Sequence, residues 1–154
     1  MTQEDKALLL KDLCARLPYG VIVETPKGKG HVCDINLTIF GTEIGVNINP
    51  TIRDTFDIED IQPYLFPLSS MTEEQKRELL TLAGYEARCE ESCGFDSWGF
   101  YVNIVGEYKY EDNQESIILY PDDIGIDWLN KNHFDYRGLI PKGLANDVTG
   151  LNIY

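Results

Sequence analysis

The sequence predicts an α+β fold. Stretches in which apolar residues recur every three or four positions alternate with stretches in which they recur at every second position, which are the patterns of amphipathic helices and half-buried strands. Hydrophobic residues make up 43% of the 154, enough for an ordinary core and too many for a disordered chain. We therefore expect a single domain over residues 1–154, with possible sub-units at 1–62 (a helix plus a small β meander) and 63–154 (helix, hairpin, helix).

The N-terminal helix is predicted over residues 2–17. Thr2 followed by Asp5 is a weaker form of the capping box, which prefers Glu or Gln at the second position. Pro18 and Gly20 end the helix. The face that we expect to be buried, followed by its two flanking leucines, comprises Ala7, Leu10, Cys14 and Leu17, then Leu9 and Leu13.

A three-stranded antiparallel meander is predicted next, over residues 20–49. A short apolar strand (20–25) precedes a turn (26–30) containing proline and glycine. We assign these glycines to a hairpin turn, because the Lys-Ser/Thr ending of a phosphate-binding loop is missing. The next two strands have an apolar residue at every second position, which we expect to face the core: Cys33, Ile35, Leu37 and Ile39, then Ile44, Val46 and Ile48.

Three strands rarely stand alone, so this sheet needs the helices or a further strand near residues 58–61. A small SH3-like barrel is one such arrangement. The polar residues 49–60 otherwise predict a loop. Residues 62–70 contain two prolines and predict an extended segment, which should be held against the core by Tyr64, Leu65, Phe66 and Leu68.

The second half predicts a middle helix, a second hairpin and a short C-terminal helix. Thr72 and Gln75 form a full capping box, so the middle helix begins there. Strands over 100–110 and 116–120 form an aromatic-rich hairpin. The C-terminal helix carries one apolar stripe with a tryptophan beside it: Ile126, Leu129 and His133, with Trp128.

The turn after this helix holds the first set of candidate binding residues. It places an acid/base group, a carboxylate, a phenol and a guanidinium close together in His133, Asp135, Tyr136 and Arg137. The alternative is structural, with the rings packing on the core and Asp135 and Arg137 pairing locally. Catalytic groups usually converge from different segments, so we assign no catalytic residue, and an enzyme that uses His133 with carboxylates is kept only as an alternative.

The cysteines give no reason to expect a metal or another cofactor. Cys89 and Cys93 are spaced by four residues, but a second such pair, as in structural zinc sites, is missing. We expect the four cysteines to be free thiols, as is usual in the cytoplasm.

The net charge of −13 is the strongest global feature. Residues 98–127 contain 7 acids and 1 base, a charge of −6, among several tyrosines. Such a surface repels phosphates, so direct nucleic-acid binding is not expected, whereas a basic protein partner would be attracted. A nucleic-acid-mimicking decoy and a simple contribution to solubility are the alternatives. The second set of candidate binding residues is Glu107, Tyr108, Tyr110 and Glu111.

The sequence contains no feature that directs it to a membrane. No run approaches the 18 apolar residues of a membrane span. The first residues are acidic and lack the basic start and continuous apolar core of a signal peptide, so we expect a cytoplasmic protein. The sequence does not indicate an oligomeric state.

Three runs of the sequence resemble a family of short uncharacterised bacterial proteins, some of them carried by prophages. The runs are KDLCARLPYGV (11–21), QPYLFPLSSMTEEQK (62–76) and WLNKNHFDYRGLIPKGLA (128–145). The resemblance implies a mobile-element setting but no reaction, ligand or catalytic residue.

Overall fold

The computed structural model describes residues 1–39, 41–82, 90–96, 99–107, 114–119 and 123–154. They form two compact units. The first contains residues 1–66 and 137–154, and the second contains residues 67–136. Both units combine helices with strands, so the predicted α+β class is confirmed.

The helices and strands follow one another in the order that the sequence analysis predicted, with additions. In chain order they are α1 (Gln3–Arg16), β1 (Ile22–Thr25), β2 (Gly28–Thr38), β3 (Gly41–Asn49), β4 (Ile52–Asp57), β5 (Gln62–Leu65), α2 (Glu73–Leu82), β6 (Glu90–Asp96), β7 (Gly99–Glu107), β8 (Gln114–Leu119), α3 (Asp123–Lys131) and β9 (Asn146–Asp147). Short 3₁₀ helices cover Leu17–Tyr19, Ile58–Asp60 and Leu68–Ser70.

The described strands of the first unit form a six-stranded sheet in the order β4-β3-β2-β1-β5-β9. Neighbours are antiparallel except for β5 and β9, which are parallel. The predicted meander is therefore present, and β5 pairs with β1 on its other side. In this part of the chain, β4 and β9 remain as the edges of an open sheet.

The predicted loop at residues 49–60 is wrong, because half of it is strand β4 and its last three residues form a 3₁₀ helix. Phe56 lies opposite Ile44 of β3 and is buried, while the other residues of β4 are largely exposed. A strand at a sheet edge is fixed by its backbone hydrogen bonds and needs few apolar side chains. Its composition consequently resembles that of a polar loop.

The face of α1 that packs on the core also differs from the prediction. Ala7 and Cys14 are exposed. The buried residues are Leu9, Leu13 and two charged ones, Asp12 and Arg16. Because polar residues normally mark the solvent side, the two charges shifted the predicted face away from the true one.

The core of the first unit is formed by aliphatic residues from α1, the strands and the segment after residue 137. Its members are Leu9, Leu13, Val21, Val23, Val32, Ile44, Val46, Phe56, Ile58, Ile61, Leu65, Leu139, Leu144 and Ala145. The predicted attachment of residues 64 and 65 to the core is confirmed, since both side chains are buried.

Both predicted capping boxes are present. The Asp5 amide donates to the Thr2 hydroxyl over 3.1 Å, and the Thr2 amide donates to the Asp5 carboxylate over 3.2 Å. The corresponding distances for Thr72 and Gln75 are 3.2 and 2.9 Å. Local sequence is sufficient here because each box satisfies backbone donors within four residues.

Tyr154 links β1 to β5. Its hydroxyl donates to the Tyr64 carbonyl over 2.7 Å and accepts from the Ile22 amide at 3.4 Å. Burial raises the pKa of the Tyr154 phenol to about 12. Burial, together with a hydrogen bond to Glu24, likewise raises the pKa of Tyr64 to about 12. Both phenols are therefore held in their neutral form in the folded protein.

The second unit contains α2, α3 and the antiparallel sheet β6-β7-β8. The predicted second hairpin is confirmed as β7 and β8, and its turn lies outside the described residues. Strand β6 was not predicted, and it places Cys93 opposite Val102 of β7. Cys89 lies outside the described residues.

Candidate functional site

His133 lies just beyond α3 and has a backbone role. The prediction placed it on the helical stripe, but it adopts φ 58°, the left-handed conformation that usually belongs to glycine at a helix end. The His133 amide donates to the Asn130 carbonyl over 3.2 Å, and the Phe134 amide donates to the Leu129 carbonyl over 3.0 Å. These two bonds define a Schellman motif, with His133 as the residue that reverses the chain.

Aromatic packing reinforces this helix end. The rings of Trp128 and Phe134 stack with their centroids 5.8 Å apart and their planes 9° apart. His133 itself is buried. The contact between Trp128 and Phe134 is the hydrophobic contact that often accompanies a Schellman motif. The turn therefore holds the imidazole in the interior, where His133 contributes to the helix end.

Asp135 and Tyr136 are also buried. The Tyr136 hydroxyl donates to Oδ1 of Asn130 over 3.0 Å, which fixes the turn to the last part of α3. The prediction that the aromatic rings of this segment pack in the interior is confirmed. Residues 133–136 belong to the second unit and Arg137 to the first, so neither unit contains all four candidate residues of this segment.

Arg137 takes part in an ion-pair network with α1. Its Nη1 donates to Asp12 Oδ1 over 2.8 Å. The same carboxylate accepts from Nε and Nη2 of Arg16 over 2.8 and 3.0 Å. The side chains of Asp12 and Arg16 are 0% exposed, and that of Arg137 is 13% exposed. The structure thus joins Arg137 to a carboxylate 125 residues away in the chain.

Of the second set of predicted binding residues, the structure describes the backbone of Glu107. Glu107 is the last residue of β7, and its backbone pairs with Gln114 of β8. Tyr108, Tyr110 and Glu111 lie outside the described residues. The acidic, aromatic ribbon and the phosphate-like carboxylate spacing of a nucleic-acid mimic therefore stay predictions.

A different surface stands out in the first unit, at the end of the β2–β3 hairpin. The prediction that Leu37 and Ile39 face the core is wrong: they are 75% and 94% exposed. A β-bulge near Cys33 interrupts the pairing, and beyond it Ile35 lies opposite the buried Ile44. Leu37 is two residues further along the same face. The core-facing side of the hairpin thus extends past the end of the core.

A groove of about 520 Å³ borders this exposed end. The residues that line it come from the start of α1, the start of β3 and the turn after β4: Gln3, Lys6, Ala7, Leu10, Gly41, Thr42, Asp57, Ile58 and Glu59. Thr42 is the register partner of Leu37, and paired residues point to the same face of a sheet. We call Leu37, Ile39 and this groove the hairpin-end surface.

The charged groups around the groove are mainly acidic. Lys6 forms an ion pair with Glu59 at 2.8 Å, and this hydrogen bond lowers the pKa of the Glu59 carboxyl. Asp57 lies opposite Glu43 of β3. Among the described residues, neither of these two carboxylates has a cationic partner within 4.0 Å.

The sequence contained one signal for this surface, the length of the alternating pattern. Strand β2 has 11 residues, whereas most strands have between about three and ten. At about 3.3 Å per residue it spans roughly 36 Å, more than the short β1 beside it can cover. A face that keeps alternating beyond its neighbours must be exposed or covered by a partner.

No cluster of three or more potential metal ligands occurs within the described ranges. Cys14 and Cys33 are free thiols. In the same part of the chain, none of the helices is both long and apolar enough to cross a membrane. No protein-family model, curated protein or solved structure matches this chain.

Proposed function

We propose that the protein is a non-catalytic interaction domain that binds a basic protein partner through the hairpin-end surface. One observation carries the proposal: the apolar face of the β2–β3 hairpin continues past the core to the exposed Leu37, and the exposed Ile39 follows in the turn, beside a groove. Single exposed aliphatic residues are common on protein surfaces. Here Leu37 continues a core face and Ile39 lies two residues beyond it, at a hairpin end that borders a groove, and such surfaces often bind other proteins.

Burial provides the affinity in this proposal. An aliphatic side chain contributes roughly 1.5–3 kcal/mol when it passes from water into a fully apolar environment. Leu37 and Ile39 are mostly in water, so nearly all of this free energy remains for a partner to gain. The anchoring side chains are thus available without any rearrangement of the core.

Charge provides the selectivity. The net charge of −13 attracts a basic protein over long distances and speeds its association. It also opposes phosphate-bearing ligands, as the composition already indicated. Binding should consequently weaken as salt concentration rises.

The positions of His133 and Arg137 favour a non-catalytic function. His133 closes α3 from a left-handed backbone conformation, and Arg137 donates to a buried carboxylate. Each residue has a structural purpose that accounts for its burial. The hairpin-end surface, in contrast, exposes aliphatic groups that are not buried by folding and that a partner could bury.

Photo-cross-linking in the cells that produce the protein tests this function. A photoreactive amino acid at Ile39 should give a discrete adduct, and the same group at Thr51, which is exposed in the β3–β4 turn at the opposite end of β3, should not. The adduct should disappear with Leu37→Ser and weaken in high salt. Equal adducts from both positions, or none from Ile39, would refute the proposal.

A further inference from the structure

We infer that the hairpin-end surface takes a short segment of another protein in which aliphatic side chains are flanked by Lys or Arg. The inference rests on the proposed function and names the chemistry of its partner. The aliphatic groups would lie against Leu37 and Ile39 and in the groove. The cationic groups would lie near Asp57 and Glu59, which line the groove.

The dimensions and lining of the groove select a segment of chain with side chains of moderate size. Its volume of about 520 Å³ falls within the range of roughly 300–1,000 Å³ that is usual for ligand pockets. Ala7, Leu10 and Ile58 give it aliphatic surface, and none of the described residues that line it is aromatic. Aliphatic side chains therefore suit it better than a flat ring system that needs stacking.

The charges of the first unit show where a cation would be accepted. Several of its carboxylates already have cationic partners: Asp34 with Arg53, Asp54 with Lys27, and Glu59 with Lys6. Asp57 and Glu43 face each other across the β3–β4 pair, where like charges oppose one another. Asp57 lines the groove, so a partner's ammonium or guanidinium group beside Asp57 would relieve this repulsion.

A cation of the partner could also replace Lys6 as the ion-pair partner of Glu59. Both side chains are part-exposed, and ion pairs of this kind contribute little to stability. A basic segment could thus compete for Glu59 at small cost. The groove then presents acidic groups on the side of the 3₁₀ helix Ile58–Asp60 and aliphatic groups on the side of α1.

The charge also distinguishes this occupant from a second copy of the chain. Two copies that each carry −13 repel one another, whereas a basic segment is attracted. Self-association through Leu37 would have to overcome that repulsion with the same aliphatic contacts. A partner of opposite charge gains free energy both from aliphatic burial and from electrostatic attraction.

NMR titration of the ¹⁵N-labelled protein with three synthetic peptides tests the inference. The first peptide has leucines flanked by lysines, the second replaces every lysine with glutamate, and the third replaces every leucine with serine. The first should shift the amide signals of Leu10, Thr42 and Ile58 in a saturable, salt-sensitive manner. The second should not bind, and the third should bind weakly.

Matched variants separate the two contributions. Leu37→Ser should weaken the lysine peptide about tenfold, through lost aliphatic burial, whereas Ile52→Ser should not, although Ile52 is a half-exposed aliphatic on β4. Asp57→Asn should weaken it about threefold and reduce the salt dependence, whereas Glu74→Gln in α2 should do neither. All four positions are exposed, so the fold should be retained.

The outcomes distinguish the inference from the function on which it rests. A discrete cross-link from Ile39 to a segment without basic residues would refute the inference and leave the interaction function intact. Equal binding of the glutamate peptide, or equal losses in Leu37→Ser and Ile52→Ser, would also refute it. Sedimentation that shows a dimer lost on Leu37→Ser would assign the surface to a second copy and overturn it.

Discussion

Replacing Asp12 with Asn should strongly destabilise the first unit. The carboxylate accepts two hydrogen bonds from Arg16 and one from Arg137. Asn is nearly the same size, so the substitution changes charge and hydrogen bonding with little change in packing. It leaves one acceptor oxygen and turns an N–H donor toward the two guanidiniums. The effect therefore measures the network itself and not a cavity.

The expected magnitude follows from burial. A hydrogen bond to a charged group contributes about 1.5–3 kcal/mol, and removing one member of a buried ion pair costs about 3–5 kcal/mol. The Arg16 side chain is 0% exposed, so water cannot replace the lost carboxylate there. Arg137 is 13% exposed and has some access to solvent. We expect Asp12→Asn to cost about 3–5 kcal/mol and Arg137→Gln about 1–2 kcal/mol.

The assay must report on the unit that carries the network. Both tryptophans, Trp98 and Trp128, belong to residues 67–136, so tryptophan fluorescence would follow the other unit. Amide hydrogen exchange of β1 and β2 in urea, measured by NMR, gives the opening free energy of the first unit directly. With a urea dependence of about 2 kcal/mol per M, a loss of 4 kcal/mol lowers the midpoint by about 2 M.

A double replacement provides the control. Asp12→Leu combined with Arg16→Met removes the two fully buried charges together and leaves Arg137, which has some access to solvent. It should recover part of the stability lost in Asp12→Asn, because apolar residues of similar volume often substitute for buried ion pairs. A loss below about 1 kcal/mol for Asp12→Asn would show that the network is not closed in solution. If that variant does not fold, Arg137→Gln still tests the same contact.

Three further outcomes are expected. At the end of α3, His133→Asn should change the stability in thermal unfolding by less than about 1 kcal/mol, because Asn tolerates a positive φ. His133→Val should cost about 2 kcal/mol more than His133→Asn, because β-branched residues do not tolerate it. Equal effects of the two variants would contradict a capping role. Gly30→Ala should cost about 1–3 kcal/mol in urea denaturation, since the added Cβ meets a backbone carbonyl of β3 at 2.7 Å. Gly45→Ala should cost less, since its added Cβ meets a carboxylate side chain. Raising the pH from about 10 to 12 should progressively destabilise the protein, because the folded pKa values of Tyr64 and Tyr154, each about 12, exceed that of an unfolded tyrosine near 10. The stability that these two phenols contribute is complete below about pH 10 and is lost above it. Tyr154→Phe should lose less stability across this window in urea titrations, and an unchanged dependence of stability on pH would contradict the assignment.

Several elements followed from local chemistry, which explains why the sequence predicted them. The capping boxes at Thr2 and Thr72 satisfy backbone donors within one helical turn. The β2–β3 pair and the β7–β8 pair connect strands that are neighbours in the chain, so alternation and turn residues sufficed. Such elements need no knowledge of the rest of the fold.

Other elements were missed or misplaced. Strand β4 pairs with β3, its neighbour in the chain, but it has one buried apolar residue, Phe56, so its sequence lacks the alternation that predicts a strand. The buried side of α1 was misassigned because Asp12 and Arg16 lie on it, and only Arg137, far along the chain, completes their pairing. Polarity in the sequence reports solvent exposure only where no buried partner is supplied from elsewhere.

The hairpin-end surface shows the same division. The sequence by itself determined that Leu37 and Ile39 continue an alternating strand, since periodicity is a property of neighbouring residues. Only the tertiary structure decided that they lie outside the core, because burial depends on how far α1 and the neighbouring strands extend over that face. The α+β class was a consequence of local pattern, and the candidate binding surface was a consequence of where the packing ends.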